Sequence, residues 1–418
     1  MQKSIHFDKF LILSSLILAF LLYTGAVTLR YASVKYPVSV KKTSCMEVEL
    51  NGDPVKAYRG RYYRQKARLI SYYNNINGFS VKTFCKCAVE LLIPSESVEA
   101  LLPRRLNSLN DRAVDDDEVL FDKGQHLLLN GKWSTKEDSF ILSSYKTLPV
   151  KDTFTLKLYK TRSSIRLMLK RILSSWADAG SLVMALFMGT KEYLEDDIVQ
   201  SFRNSGCSHV LALSGMHLSL IMMLPLSLFG FIVGRKSSKA LSFIFVVFFV
   251  FIAGFTPSLL RAFLMLSIVY LCRLFYTSKY NNFSLLCGVF ILHVIFFPSD
   301  FNTLSFNLSY ASIAGIMLLS PYLEGYTTKY FSSSIGAFVA TSPITIKCFG
   351  AVYPVAVVSS LVVSALITVF MYSALFCLLF SFIMPFLLVP FGYIMKAQYA
   401  FLMAVINFFG KIPAVYFY

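Results

Sequence analysis

The chain has 418 residues, of which 56% are hydrophobic, 16% aromatic and 15% charged, and its mean hydropathy is +0.60. That balance excludes an ordinary water-soluble globule, in which roughly a quarter of residues are charged. Forty Lys and Arg against 23 Asp and Glu leave a formal charge of +17. Polytopic proteins gather such a surplus in cytoplasmic loops and against anionic lipid, so the charge alone does not require a polyanionic substrate.

A bilayer crossing takes about 20 mostly apolar residues, and the first candidate is "FLILSSLILAFLLYTGAVTL", residues 10–29. It lacks a small-residue cleavage site and precedes a large polar segment, so residues 1–30 are expected to be a retained N-terminal transmembrane anchor; a cleaved leader is the alternative. Residues 31–160 differ in kind: charged, tyrosine-rich and punctuated by the turn signals "NGDP", "NNING" and "NGKW". Strands are predicted at "SCMEVEL", "KARLISYY", "SVKTFCKCAVELLI", "QHLLLNGKW" and "SFILSSYKTL". Short strands at this density predict a small soluble β-barrel, OB-like in preference to an immunoglobulin-like sandwich. The mixed-charge stretch "PRRLNSLNDRAVDDDEVLFDKGQ" reads as a loop or short helix. A bridge from Cys45 to Cys85 or Cys87 is open in an oxidising compartment. Zinc is not expected, since the segment's histidine, His126, is not at finger spacing.

From Arg162 to Trp176 the period becomes helical, with Ile165, Met168, Leu169, Ile172, Leu173 and Trp176 opposite Arg162, Arg166, Lys170 and Arg171. Residues 161–180 therefore read as a basic amphipathic interfacial helix, or as a helix packed on the protein's own surface. Residues 181–418 form the expected membrane core, with spans near 207–233, 240–256, 258–276, 283–298, 304–323, 335–350, 352–371, 372–390 and 392–410. Basic residues in short loops (Arg235, Lys236 and Lys239, then Arg273 and Lys279, then Lys329) mark the cytoplasmic side. Tracing backwards places the β-domain outside the cytoplasm, in a multi-pass protein of the cytoplasmic (inner) membrane.

Polar groups at lipid depth persist where they meet one another, line a wet cavity or serve a substrate. In "SGCSHVLALSGMHLSL", residues 205–220, Ser214 and His217 would share one helix face, and Gly206 and Gly215 permit a broken helix. Three readings stand: an interhelical hydrogen-bond cluster, the lining of a conduit, or a Ser–His hydrolytic pair that lacks an acid on the same segment. In "GFTPSLLRAFLM", Pro257 and Ser258 interrupt an apolar run and Arg261 follows one turn later. Its planar fork suits phosphate, and its place near the span's end also suits snorkelling to the interface. In "PSDFNTLSFNLSYASIAGI", Asn307 and Ser309 are uncharged hydrogen-bonding groups, and Ala311, Ser312, Ala314 and Gly315 suit close helix packing. Within the β-domain, "AYRGRYYRQKARLISYYNN" interleaves Tyr58, Arg59, Arg61, Tyr62, Tyr63, Arg64, Lys66 and Arg68. Cations that follow a phosphate chain beside rings that stack bases suit a single-strand binder; the alternative is a solvated strand face with tyrosines in the core.

These three membrane clusters, in this order across roughly residues 180–415, resemble the ComEC-type competence family of natural transformation, with weaker agreement through "TSPITIKCFGAVYP". "SGCSHVLALSGMHLSL" is similar to the family's His, Ser-Gly, His pattern, "GFTPSLLRAFLM" to its Pro-Ser-x-x-Arg-Ala element, and "FNLSYASIAGI" to its aromatic-Gln-Leu-Ser element. Asn307 stands where the family usually has Gln, and Ser360 where Asn is common. The resemblance implies a polytopic α-helical membrane protein with an inserted OB-like β-barrel, acting as a channel that brings single-stranded DNA into the cytoplasm. His209, Ser214, Gly215, His217, Pro257, Ser258, Arg261, Asn307 and Ser309 would line or shape the passage. Many relatives continue into a metallo-β-lactamase-like domain; the five histidines here cannot build its clustered metal site, so no nuclease activity is expected of this polypeptide. No catalytic residue, metal or cofactor is expected. A separate DNA receptor, nuclease and ATP-driven motor or strand-binding protein are expected partners beside DNA and the lipid bilayer, since no Gly-x-x-x-x-Gly-Lys-Ser/Thr loop is present. An intramembrane Ser–His hydrolase and a secondary transporter of a small anion are the alternatives.

Overall fold

The computed structural model describes residues 2–24, 41, 43–51, 54–56, 61–76, 79–99, 121, 124–134, 138–148, 154–191, 193–229, 234–275 and 281–416. Two compact units result: Ala32–Met184 with Thr190–Tyr193, and Met1–Tyr31 with Ala185–Gly189 and Leu194–Tyr418. Helix α1 (Gln2–Tyr23) opens the chain and belongs to the second.

The first unit is built on β1 (Cys45–Leu50), β2 (Val55–Lys56), β3 (Tyr62–Ile76), β4 (Phe79–Pro94), a short α2 (Ser95–Glu99), β5 (His126–Ser134) and β6 (Ser139–Thr147). All five strands predicted from alternation are present. Period-2 patterning sends Met46, Val48 and Leu50 of β1, Ala67 and Leu69 of β3, and Val89 and Leu91 of β4 into one core with Leu127, Leu129 and Phe140. Strand β1 is antiparallel to both β5 and β3, β3 to β4, and β5 to β6, while β4 and β6 run parallel. A register shift between Asn130 and Gly131 lets β5 approach β6 closely: a Cβ on Gly131 would lie 2.0 Å from the Ile141 carbonyl oxygen, so only glycine fits. Cys45 is a free thiol.

Helix α3 (Phe154–Ser174) starts earlier and ends sooner than its sequence period suggested, and α4 (Asp178–Met188) follows. The basic row is turned inward: Arg162, Arg166, Lys170 and Arg171 are buried, and Lys170 lies over the Tyr193 ring at 5.6 Å. A helix presenting that row to lipid headgroups would need it open. Cation–aromatic contact and buried side-chain stems favour the inward arrangement instead.

The second unit is helical: α5 (Asp196–Asn204), α6 (Gly215–Phe229), α7 (Arg235–Ala253), α8 (Pro257–Phe275), α9 (Asn282–Phe296), α10 (Leu304–Leu323), α11 (Lys329–Phe349), α12 (Ala356–Ile383) and α13 (Leu388–Gly410), with a small ladder of β7 (Ala351–Val352) and β8 (Val415–Tyr416). Helix boundaries follow ordinary stop and start signals. Gly254 ends α7 at φ +89° and Pro257 opens α8, where its missing N–H costs nothing. Asn281 accepts from the Phe283 N–H at 3.0 Å, and Thr303 from the Phe306 N–H at 3.3 Å, capping α9 and α10. Among the described residues three segments are long and apolar enough to cross a membrane: Leu304–Leu323, Ala356–Ile383 and Pro385–Gly410. The predicted spans 352–371 and 372–390 are instead largely one 28-residue helix, α12, because no Gly, Pro or polar run interrupts it. Large apolar side chains such as Phe20, Ile295, Ile383, Phe386 and Phe401 stand open on the outer faces.

Helices α10 and α11 pack through glycine against glycine. A Cβ on Gly315 would lie 2.3 Å from the Gly336 carbonyl oxygen, and one on Gly336 2.8 Å from that of Gly315. Such contact draws the backbones together in the manner of small-residue packing within membranes. Gly336→Ile is expected to force the pair apart, at a cost of about 1–3 kcal/mol, and to lower the thermal midpoint of the protein in detergent. Gly325→Ala, where a Cβ meets nothing within 4 Å, should leave the midpoint unchanged.

Candidate functional site

The stretch at 205–220 is a broken helix. Helix α5 ends at Asn204, Gly206 turns the chain at φ +73°, Ser208–Leu211 forms one 3-10 turn, and α6 begins at Gly215 after an extended link. The single helix face expected for Ser214 and His217 is therefore not what joins them. Ser214 precedes the helix, and the His217 ring folds back to it: the Ser214 N–H donates to His217 Nδ1 at 3.2 Å, and the Ser214 hydroxyl lies 3.1 Å from the same nitrogen. This is a helix cap in which histidine takes the place usually held by Glu or Gln. Since Nδ1 accepts from a backbone N–H, the neutral ring carries its proton on Nε2. Nε2 is buried without a partner among the described residues, and His217 is 0% exposed.

The break is pinned from outside. Ser359 on α12 donates to the Ser205 carbonyl at 2.6 Å, Cys207 Sγ lies 3.5 Å from Ser359 Oγ, and a Cβ on Gly206 would come within 2.6 Å of Ala356 Cβ. His209 sits in the 3-10 turn, exposed. Ser360, next to Ser359, lies 3.1 Å hydroxyl to hydroxyl from Ser334 of α11.

Gly215, the first residue of α6, abuts α8: a Cβ there would lie 3.3 Å from Ala262 Cβ and 3.9 Å from Arg261 Nη2. Arg261 is 5% exposed, and its Nε is buried with no hydrogen-bond partner among the described residues. Among the described residues it forms no salt bridge, although Tyr310 and His293 lie within electrostatic range. Pro257 serves as the first residue of α8. Ser258 and Ser309 face each other across α8 and α10 at 3.0 Å, and Asn307 accepts from the Tyr23 hydroxyl of α1 at 2.5 Å. Asn307, Ser258 and Ser309 thus each have a protein partner, whereas among the described residues Arg261 Nε and His217 Nε2 have none.

Sequence reasoning missed a second polar chain. His293 of α9 is 0% exposed; its Nε2 lies 3.2 Å from Asp300 and its Nδ1 3.1 Å from the Tyr310 hydroxyl. Phe306 and Phe297 rings enclose it. A proton on Nε2 shared with the carboxylate leaves Nδ1 to accept from Tyr310. The available signal was His293 in "FILHVIFFPSD", followed by an acid just past Pro298, where a 3-10 turn at Pro298–Asp300 folds the chain back.

In the β-unit, Arg61 and Tyr62 are exposed, and Arg64, Lys66 and Arg68 share the outer face of β3. Two of these cations are already paired, Arg64 with Glu90 at 3.7 Å and Arg68 with Glu49, and Lys66 stands opposite Glu90 in the ladder. Tyr63 is 0% exposed in the core, so it cannot offer a face for stacking a base. Tyr58 and Arg59 lie outside the described residues. Among the described residues no group of three His, Cys, Asp or Glu could hold a metal ion.

Residues 186–418 match the family described as Competence protein. The chain is 27% identical over 169 residues to ComE operon protein 3 of Bacillus subtilis (strain 168), covering 39% of this chain and 21% of that protein. It is 30% identical over 205 residues to an uncharacterized protein of Aquifex aeolicus (strain VF5), covering 48% of each. The matched segments thus span about a fifth and about half of these relatives. No solved structure matches.

If His217 caps α6, a residue that can reach back to the Ser214 N–H should replace it. His217→Gln is expected to hold the thermal midpoint in detergent close to the parent, whereas His217→Leu lowers stability by about 1 kcal/mol.

Proposed function

Since the chain belongs to the Competence protein family, we propose that it acts in DNA uptake, as the membrane conduit through which single-stranded DNA enters the cytoplasm. The observation that carries this reading is the pairing of a broken helix with buried, unpartnered donors: His217 Nε2 and Arg261 Nε. Isolated polar groups within a bilayer are costly, and non-helical backbone is tolerated there only where it is enclosed by protein or lines a wet passage. Three long apolar helices and the open apolar outer faces support placement in the cytoplasmic membrane as a multi-pass protein.

In this reading His209, exposed in the 3-10 turn, and Ser214, His217 and Arg261 border the passage, while Ser258, Ser309 and Asn307 shape it by holding α1, α8 and α10 together. The strand pairings run β1-β3-β4-β6-β5 and return to β1, with β4 parallel to β6. That circuit supports an OB-like barrel, which would receive the strand outside the cytoplasm. A separate receptor, nuclease and motor would supply capture, degradation and energy. The Ser214–His217 contact is a cap in this account, not a nucleophile and its base: Nδ1 already accepts the backbone N–H, and Nε2 meets no carboxylate among the described residues.

Uptake of labelled DNA by cells carrying Arg261→Ala or His217→Ala, at unchanged protein level, tests the conduit. A loss of at least about tenfold, as expected for removing a charge-assisted contact, is predicted for Arg261→Ala; normal uptake in both variants would sink the reading. For the β-unit, replacing Arg61 and Lys66 by Ala should weaken binding of a single-stranded oligonucleotide. The log–log salt slope should flatten by about 1.4, as two lost phosphate contacts require, read by fluorescence anisotropy on the full chain.

A further inference from the structure

The start of α6 and the Arg261 side chain present donors to one another with no acceptor between them. A helix N-terminus carries roughly half a positive charge on its free N–H groups. The guanidinium on the facing helix carries a full one and never loses it. Arg261 Nη2 lies only 3.9 Å from where a side chain on Gly215 would begin, so the bare glycine brings the two positive features together. Ser214's N–H is satisfied by His217, but those of Gly215, Met216 and His217 have no hydrogen bond among the described residues. The Nε2 donor of His217, on the same first turn, is likewise unpartnered. A guanidinium only 5% exposed beside the positive end of a helix is unfavourable unless an anion completes the pair.

The protein's own acid is committed elsewhere. Asp300, the carboxylate of this neighbourhood, is bound by His293 Nε2, and His293 in turn holds the Tyr310 hydroxyl. Histidine thus stands between the carboxylate and Tyr310, and Arg261 is left without an ion pair among the described residues. The groups that remain are donors alone: guanidinium, backbone N–H and imidazole N–H. Donors converging from a planar fork and a helix end suit a tetrahedral, acceptor-only anion.

We propose that Arg261 and the first turn of α6 form a seat for one phosphodiester monoanion. This rests on the conduit reading and deepens it, by assigning the point at which the strand's backbone is held. A phosphodiester can come from a nucleic-acid strand or from a phospholipid headgroup; the seat is assigned to the strand.

The full chain in an uncharged, phosphate-free maltoside detergent, titrated with dimethyl phosphate and followed by phosphorus NMR line broadening, tests it. One saturable site is expected, weakened at least about tenfold in Arg261→Gln and partly kept in Arg261→Lys, which preserves the buried charge and controls for folding. Acetate, the carboxylate control, should stay non-binding throughout. Absence of saturable binding by the parent chain, equal binding by Arg261→Gln, or equal binding of acetate would overturn the seat. Displacement of dimethyl phosphate by thymidylyl-thymidine supports the strand assignment; displacement by phosphatidylglycerol alone overturns it. Loss of phosphate binding in Arg261→Gln with normal DNA uptake would remove the conduit and leave the seat standing. Abolished uptake in that variant, without phosphate binding by the parent, would do the reverse.

Discussion

A guanidinium that cannot discharge, enclosed by helices and set against the positive end of another helix, is the constraint around which the helical unit is arranged. Transfer of an isolated ion out of water costs at least several kcal/mol after relaxation. Arg261 therefore needs either a carboxylate or an occupant of opposite charge. Among the described residues no carboxylate pairs with it; Asp300 is engaged by His293, and His293 by Tyr310. Glycine at the start of α6 lets that helix end approach the guanidinium, with Nη2 3.9 Å from where a Gly215 side chain would begin.

The surrounding architecture keeps this arrangement from relaxing. The segment between α5 and α6 cannot continue as helix, because Gly206 takes a left-handed turn pressed against Ala356 and Ser359 fastens the Ser205 carbonyl to α12. The hydroxyl pair Ser258–Ser309 ties α8 to α10, and the mutual contact of Gly315 and Gly336 ties α10 to α11. Each tie joins a helix bearing part of the polar cluster to its neighbour. In an apolar solvent these few hydrogen bonds and close backbone contacts supply specificity that hydrophobic burial cannot, since lipid is as apolar as the helix surfaces.

The β-unit shows the same economy of charge in the opposite setting. On its solvated face the cations of β3 meet carboxylates of neighbouring strands, and exposed pairs of that kind contribute little to stability. They also lower the net positive field that the sequence of β3 suggests. Tyrosines that read as stacking rings divide by strand parity: Tyr63 goes to the core and Tyr62 to the surface. Parity was open to reading from the alternation, while the partners of the cations were not, because Glu49 lies on another strand and Glu90 across a hairpin.

The amino-acid order by itself determined the element types and most of their limits. Alternation marked five strands, apolar windows marked helices α6 to α11 and α13, and Gly206 and Pro257 marked breaks. These features are local, set by backbone sterics and the period of side-chain exposure. Tertiary structure decided the rest. It merged two expected spans into α12, turned the basic row of α3 inward, made His217 a cap, and brought His293, Asp300, Tyr310 and Arg261 into one neighbourhood. Those outcomes depend on which side chains meet through space, and the electrostatic cost of burial, which decides whether a charge is paired or left for an occupant, exists only once the helices have packed.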